Sequence, residues 1–543
     1  DLSPKTIDNI KMGYIFEELI RKFSENAEAG DHYTGRDIIK CMVSILLSEG
    51  CEDLKEPQKE ITILDQACGT GGMLSTSYNF LSVFNPTAKI RLYGQEINPE
   101  SYAMCMAEML IRGQDVSNLR KMDTMKQDCF PTKKMRFVIE NPPFGTAWGG
   151  KDAAEGVEHA VLEEAKKKEN GRFPAGTPGS GDMQLLFMQS AVNKMNDDNG
   201  RAAIIENGSP LFSGGTSSGE SQIRRYLLEH DLIEAIIALP TDLFYNTGIA
   251  TYIWVLSKNK RKERRGKVQL IDATSICHKL RKALGNKSNE ITKEDREQIT
   301  KLYNDFTPGE LVKVFENEDF MYREYAVMQP LQRSYGFTKE RIERMLSKDA
   351  LKSIYNEAKI LELENKEDQD EKTIAEIEKE NKKKPAYDAI LTALNNKISD
   401  KKWLSPEEFE PVLTETLKDC NVEKKIFEKI MTGLSVMDKE AVIQKDKKGE
   451  VIYDTETKDT EIVAYKESID DYMAREVLPH IPDAKAFFEE NLAAKKPVIK
   501  TGAEIPFTRH FYKYSKPRSS VELAAEFKEL ENLVSSAIAE LFN

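Results

Sequence analysis

Asn141-Pro142-Pro143-Phe144 sets an amide, backbone carbonyls and an aromatic ring within four residues, just after the apolar run Phe137-Val138-Ile139. The run reads as a buried strand, and the two prolines end it in a rigid turn. Proline fixes φ and has no N–H, so the turn cannot continue a regular ladder. The Asn141 side-chain oxygen and a nearby carbonyl can then face one amino group, with the ring of Phe144 beyond. Such a set suits a planar base carrying an exocyclic NH2.

A second set lies upstream. Asp65-Gln66-Ala67-Cys68-Gly69-Thr70-Gly71-Gly72 follows a strand-like segment and opens a helix-like one. Gly69, Gly71 and Gly72 allow a tight turn and a close approach of backbone to ligand. Leu74 breaks the G-x-G-x-x-G spacing, and Asp65 would repel an anion. The loop therefore suits a zwitterionic or cationic cofactor better than a pyrophosphate. Glu96 ends the next strand, where a carboxylate can accept from two ribose hydroxyls; its bland alternative is a surface acid. Asp123, after the third strand–helix unit, either accepts from an adenine amino group or caps a turn.

These residues need a frame that brings strand ends together. From about 61 to 257, strand-like runs (Ile61 to Asp65, Ile90 to Gly94, Met135 to Ile139, Ala202 to Ile205, Leu232 to Leu239, Gly248 to Ser257) alternate with helix-like ones (Met73 to Phe84, Pro99 to Ile111, Met183 to Met195, Ile223 to Glu229). That alternation predicts an α/β fold with a doubly wound, mainly parallel sheet. Ligands of such sheets bind at the carboxyl ends of the strands. Two helices are expected before residue 50, joined by the polar loop Gly30 to Arg36. The glycine-rich stretch 145–181 shows no periodicity and reads as a functional lid or a disordered loop. The basic run 258–267 is either a solvated exit from a strand or a phosphate contact. Residues 355–385 suit an exposed long helix or a helical hairpin. Lys447 to Glu450 reads as a turn into a strand. Val521 to Phe542 repeats apolar residues at helical spacing, an amphipathic helix that packs either on its own domain or on a partner helix.

At 543 residues the chain is long enough for several domains. No apolar run approaches the length of a membrane span, and no signal peptide is seen. Asp1 stands where a Met would start a complete chain, so an upstream segment is expected to be missing. Seven scattered cysteines form no C-x-x-C pair; neither a disulfide scaffold nor a metal site is expected, and a reducing cytoplasm fits. A net charge of −13 argues against broad electrostatic binding of nucleic acid. A protein acting on DNA with this balance needs a local basic surface or a partner that supplies phosphate contacts.

Together the motifs resemble the S-adenosylmethionine-dependent amino-methyltransferases. The order of the cofactor loop, then Asn141 to Phe144, with Asp31 to Arg36 upstream of both, resembles the gamma class of DNA adenine-N6 methyltransferases. Nearly the whole chain resembles the modification (M) subunit of type I restriction-modification systems. The likeness is carried by Leu2-Ser3-Pro4, Gly13 to Leu19, His32-Tyr33-Thr34, Asp182 to Phe187, Gly200 to Ala203, Leu243 to Ile249, Glu476 to His480 and Ile505 to Arg509. There are two departures. Gly35 replaces the usual proline after Thr34, and Glu140 stands where a small residue is more common.

The resemblance implies a Rossmann-like methyltransferase sheet, with a helical lead-in over 1–50, a catalytic domain over 51–335, and a largely helical partner-docking region over 336–543. It implies S-adenosyl-L-methionine held by Asp31, His32, Tyr33, Thr34, Gly35, Arg36, Asp65, Gly69, Thr70, Gly71, Gly72, Glu96 and Asp123. Catalysis falls to Asn141, Pro142, Pro143 and Phe144. The target adenine is flipped from double-stranded DNA, Phe144 stacks on it, and Asn141 with the Pro142 carbonyl accepts from N6. A specificity (S) subunit would read the sequence, with two M per S, and a restriction (R) subunit can join; no membrane partner is implied. The rivals are an amino-methyltransferase acting on RNA or protein glutamine, a non-catalytic scaffold, and a nicotinamide dehydrogenase. The last lacks the third glycine.

Overall fold

The computed structural model describes residues 34–245, 247–365, 371–512 and 519–542. The first expected helix and Asp31, His32 and Tyr33 lie outside them. The second expected helix is α1 (Arg36–Ser48). Strands and helices then alternate as β1 (Glu60–Asp65), α2 (Gly72–Phe84), β2 (Lys89–Glu96), α3 (Pro99–Ile111), β3 (Leu119–Lys121), β4 (Phe137–Glu140), α4 (Val157–Lys166), α5 (Gln184–Lys194), β5 (Arg201–Asn207), α6 (Gly219–Glu229), β6 (Ile233–Ala238), β7 (Thr251–Ser257) and β8 (Lys267–Asp272). A hairpin of β9 (His278–Leu284) and β10 (Lys287–Glu290) precedes α7 (Lys293–Asp305) and β11 (Val312–Glu316).

Nine strands form one sheet in the order β11-β8-β6-β7-β5-β4-β1-β2-β3. β1 pairs in parallel with both β2 and β4, with Ile63 opposite Leu92 on one side and Phe137 on the other. The predicted α/β, mainly parallel sheet is present, with β7 running antiparallel to β5 and β6 and β11 antiparallel to β8. A parallel return needs a crossover, usually a helix. The described residues of the connection from β6 to β7 hold no helix, so β7 comes back as a hairpin.

The central strands are continuous apolar runs, buried on both faces as a covered parallel sheet requires. Alternation sends Ile63, Phe137, Ile139 and Ile205 to one face, under α1, α2 and α7. Leu64, Val138 and Ile204 go to the other, under α5, α6 and a late segment that includes Ile505 and Phe507.

Four cations of the basic run 258–267 are paired with acids of the fold, and two of them, Lys260 and Arg264, are buried. Lys258 pairs with Asp197 at 2.9 Å and Lys260 with Asp231 at 2.6 Å. Arg261 and Arg264 both reach Glu49. The Arg264 guanidinium also lies over the rings of Tyr303 and Phe306. Beside it Arg201 pairs with Glu234 at 2.8 Å, both buried.

Two compact units make up the chain. The first runs to Arg323 and takes in 464–466 and the residues from Glu490 on; the second is 324–463 with 467–489. Relative to the expected boundary at 335, part of the late chain returns to the first unit. Thr501–Ala503 pairs with Met321 to Arg323, and the Ala503 carbonyl accepts from Arg224 Nε at 2.7 Å. The second unit is mainly helical, with Ile342, Met345, Ile390, Leu394, Phe409 and Leu413 in its core. Glu357–Glu364 and Glu371–Asn381 are tied by Lys359–Glu376 at 2.6 Å, the hairpin alternative for 355–385. The turn at Lys447 leads to isolated bridges at Val451 and Tyr453, not to a strand. The last helix, Ser520–Phe542, leaves Leu523, Phe527, Leu530, Leu533 and Val534 exposed.

Candidate active site

The carboxyl ends of β1, β2 and β4 open into a cavity of about 620 Å³, a size that accommodates a nucleoside-sized ligand. Gly69, Thr70 and Gly72 line it. Gly71 stands behind them in the left-handed region at φ 85°. A Cβ on Gly71 would lie 2.7 Å from Cys105 Sγ and 2.9 Å from Met109. Glycine there serves both the turn and the seating of α2 on α3.

Four acids (Asp65, Glu96, Asp123 and Asp152) and no Lys, Arg or His line the cavity among the described residues. Asp65 is buried, and its Oδ1 accepts from the Ala67 N–H at 3.1 Å. Loss of water, reinforced by the Glu96 charge, pushes its carboxyl up to about 8. Glu96 accepts from the Gly69 N–H through Oε2 and from the Asn98 N–H through Oε1, each at 2.7 Å. It thereby links the glycine turn to the N-terminus of α3, and each oxygen keeps a lone pair for a hydroxyl. Asp123 Oδ1 accepts from the Met125 N–H at 2.8 Å, a turn bond, while the residue still faces the cavity. Such a lining repels phosphate and suits a cation or zwitterion.

Asn141 lies at the end of β4. Its Nδ2 donates to Thr34 Oγ1 at 3.0 Å. Its Oδ1 is buried and has no hydrogen-bond partner among the described residues. The amide is thus turned so that its acceptor is available where Pro142, Pro143 and Phe144 also line the cavity. Thr34 is held in place by Arg36, two residues on. The Arg36 guanidinium donates to Thr76 Oγ1 at 2.6 Å and Glu108 Oε1 at 2.7 Å, on α2 and α3. Arg36 and Gly35 do not themselves line the cavity.

Glu140 does not line it either. It is fully buried on the Val138 face of β4, and its Oε2 accepts from Gln66 Nε2 at 3.1 Å. Burial, and then repulsion from Asp65, hold its carboxyl well above the usual range. Gln66 also accepts from Ser190 Oγ at 2.6 Å and, through its carbonyl, from Thr124 Oγ1 at 2.5 Å. This chain fastens the floor of the cavity to α5.

The 145–181 stretch is ordered, contrary to its featureless sequence. It contains α4, and Trp148, Val157, Val161 and Phe173 pack on Met183 and Phe187 of the next segment. Val157, Met183 and Phe187 reach the cavity from there, and Phe244, Thr247 and Ile249 reach it from the β6–β7 connection.

The family model for N-6 DNA methylase matches residues 8–334. The chain belongs to this family. The methylase subunit of the HindI type I restriction enzyme of Haemophilus influenzae is 28% identical over 270 residues, 49% of this chain and 54% of that protein. The MpnII type I methylase subunit of Mycoplasma pneumoniae is 26% identical over 304 residues, 54% of this chain and 51% of that one. The chain thus spans about half the length of the curated relatives it matches. A crystal structure of a type I restriction-modification methyltransferase subunit from Streptococcus thermophilus, 24% identical, covers 57% of this chain and 61% of that one, with a TM-score of 0.48.

In this family member the cavity gathers Thr34, Asp65, Gly69, Thr70, Gly72, Glu96, Asp123 and the whole Asn141 to Phe144 turn. Gly35, Arg36 and Gly71 stand one layer back, and Asp31, His32 and Tyr33 lie outside the described residues. Sequence reasoning missed Gln66, Asp152, Phe187, Phe244 and Ile249 as lining residues. Phe187, Phe244 and Ile249 did stand in the segments that carried the family resemblance. Asp152 had no signal.

Proposed function

We propose that this methylase transfers a methyl group from S-adenosyl-L-methionine to N6 of adenine in duplex DNA, as the modification subunit of a type I restriction-modification complex. The reading rests on one observation above all: among the described residues, the buried Asn141 Oδ1 has no hydrogen-bond partner and the cavity is lined by acids and no cation. An exocyclic amino group is the donor that satisfies this acceptor without bringing a net charge. An unpaired buried acceptor costs about 1–3 kcal/mol, and binding of the base relieves that cost.

The residues present fit the cofactor. Asp65 and Glu96 suit a cationic, hydroxyl-bearing ligand, and the Gly69 to Gly72 turn lets backbone approach it. The bound cofactor supplies an electrophilic methyl group. Asn141, fixed by Thr34, orients the amino nitrogen, and the ring of Phe144 gives the base a face to stack on. Alignment of this kind lowers the barrier by orientation and by preorganised dipoles. No nucleophilic side chain is required.

Type I methylase subunits among the relatives support membership of such a complex; within it we place the chain with a specificity subunit, two M to one S, and with a restriction subunit. The net charge of −13 agrees with delegated reading of DNA, and the exposed face of the helix Ser520–Phe542 is our candidate for the S contact. Seven free thiols and the absence of a described helix able to cross a membrane are in keeping with work in the cytoplasm.

The test is transfer of tritium from labelled cofactor to unmethylated genomic DNA by the complex, followed by nucleoside analysis. Label is expected in N6-methyladenine. Asn141→Ala is expected to bind the cofactor normally and to lose at least a hundredfold in turnover. Label in protein or RNA alone would overturn the reading.

A further inference from the structure

The β9–β10 hairpin is a built, cation-bearing structure tied to the rim of the active-site cavity. Its turn is anchored to the β6–β7 connection. Asn286 N donates to the Tyr245 carbonyl at 2.9 Å, and Ser288 N donates to the Asp242 carbonyl at 3.0 Å. A Cβ on Gly285 would lie 2.6 Å from the Tyr245 carbonyl oxygen. Lys287 is buried and donates to Asp37 Oδ2 at 2.8 Å and to the Leu243 carbonyl at 2.9 Å. Leu284 packs on Tyr245. Phe244 and Thr247, on either side of Tyr245, line the cavity. The hairpin therefore braces the back of the segment whose front faces the substrate.

Its outer part is different. The pairing runs Leu284 with Lys287, then Lys279 with Asn289, five steps on β9 against two on β10. The surplus residues of β9 break the regular ladder between Leu280 and Ala283, and irregularities of this kind re-aim side chains. Lys279, Arg281 and Lys282 are all exposed and make no hydrogen bond or ion pair among the described residues. In a chain of net charge −13 this is a local concentration of free cations. In the longer basic run 258–267, by contrast, Lys258, Lys260, Arg261 and Arg264 are held in ion pairs, which leaves Lys262 and Arg265 exposed without one among the described residues.

We propose that Lys279, Arg281 and Lys282 grip the sugar-phosphate backbone of duplex DNA beside the flipped adenine. The inference rests on the proposed function. A base that enters the cavity leaves its phosphates outside it, and the hairpin is carried on the outer side of the 242–245 segment that flanks the cavity. The division of charge is complementary, with acids inside for the cofactor and cations outside for phosphates. Contacts of this type position the duplex without reading its sequence.

The experiment uses the full chain in its S-containing complex, with a 40-base-pair duplex and unmethylated genomic DNA as probes. Lys279→Gln, Arg281→Gln and Lys282→Gln are combined. Each lost phosphate contact lowers the slope of log affinity against log salt by about 0.9, so the expected fall is about two to three. KM for DNA rises at least tenfold, while kcat and cofactor affinity stay unchanged. The triple Lys/Arg exchange (K279R, R281K, K282R) restores both readouts. Neutralising exposed Lys55 and Lys89, at the amino-terminal end of the sheet, is expected to leave the slope alone. An unchanged slope in the triple Gln variant, or an equal fall in the Lys55/Lys89 variant, would overturn the proposal. So would loss of S binding with DNA binding intact, which would make the hairpin a protein contact. If the native complex puts no label into adenine, the proposed function fails. If it does and the triple Gln variant keeps the native slope, the hairpin proposal alone fails.

Discussion

On the proposed function, Asp65 makes cofactor binding a proton-linked event. Its carboxyl sits at about 8 because burial removes water and Glu96 lies near. At pH 7 the protonated form then outnumbers the ionised one by about ten to one. A cofactor with a sulfonium and an ammonium group favours the ionised form. Binding at pH 7 should therefore release about 0.9 proton, falling to about half at pH 8 and about a tenth at pH 9. The apparent affinity is weakened about elevenfold at pH 7, or about 1.4 kcal/mol, and about twofold at pH 8. Calorimetry in buffers of contrasting ionisation enthalpy counts the protons directly. The cofactor's own α-amino group titrates in the same range, so Asp65→Asn is the reference, and the difference between the two proteins belongs to Asp65. Equal proton counts in native and Asp65→Asn proteins between about pH 6.5 and 8.5 would refute the reasoning. Stability runs the opposite way with pH. A raised acid contributes fully below its unfolded value, and the contribution is lost as pH climbs from about 4 through 8. Asp65→Asn should flatten that decline in urea unfolding of the cofactor-free protein.

Further outcomes follow from packing and charge. Gly71→Ala combines φ 85° with a Cβ only 2.7 Å from Cys105 Sγ and should destabilise by about 2–4 kcal/mol in urea titration. Gly50→Ala, also at positive φ but with nothing within 4 Å, should lose only about 1 kcal/mol. Arg201→Met strands the buried Glu234 carboxylate and should cost about 3–5 kcal/mol, whereas the double change with Glu234→Leu recovers most of it. Glu140→Gln should leave methylation unchanged, since the side chain faces away from the cavity. It should leave stability nearly unchanged at a pH below the ordinary carboxyl range and raise it progressively relative to the native protein as pH climbs above that range, read as thermal midpoint against pH.

The sheet was legible because its strands are short apolar runs between turn residues, and their periodicity does not depend on distant partners. The antiparallel sense of β7 was not, because direction depends on what the connection lacks. At the site, Asn141 to Phe144, Asp65 and Glu96 were visible through residue type and place after strands. The neighbours contributed from afar, Phe187 and Phe244, were not, since nothing local marks an apolar residue as lining a cavity instead of filling a core. The order in 145–181 was hidden for the same reason: Val157, Val161 and Phe173 are few, and they make a core only with Met183 and Phe187. The basic run 258–267 was ambiguous because its partners Glu49, Asp197 and Asp231 lie elsewhere in the sequence, far from the run itself.

The helix Ser520–Phe542 is about 34 Å long, and the apolar stripe from Leu523 to Val534 lies open to water. A subunit made in excess of whatever covers that stripe carries an aggregation-prone surface of the kind that cellular quality control clears. On the proposed assembly, the supply of the subunit that covers the stripe would limit the amount of this protein in a cell, and balanced expression of the two would become a condition for accumulating the complex.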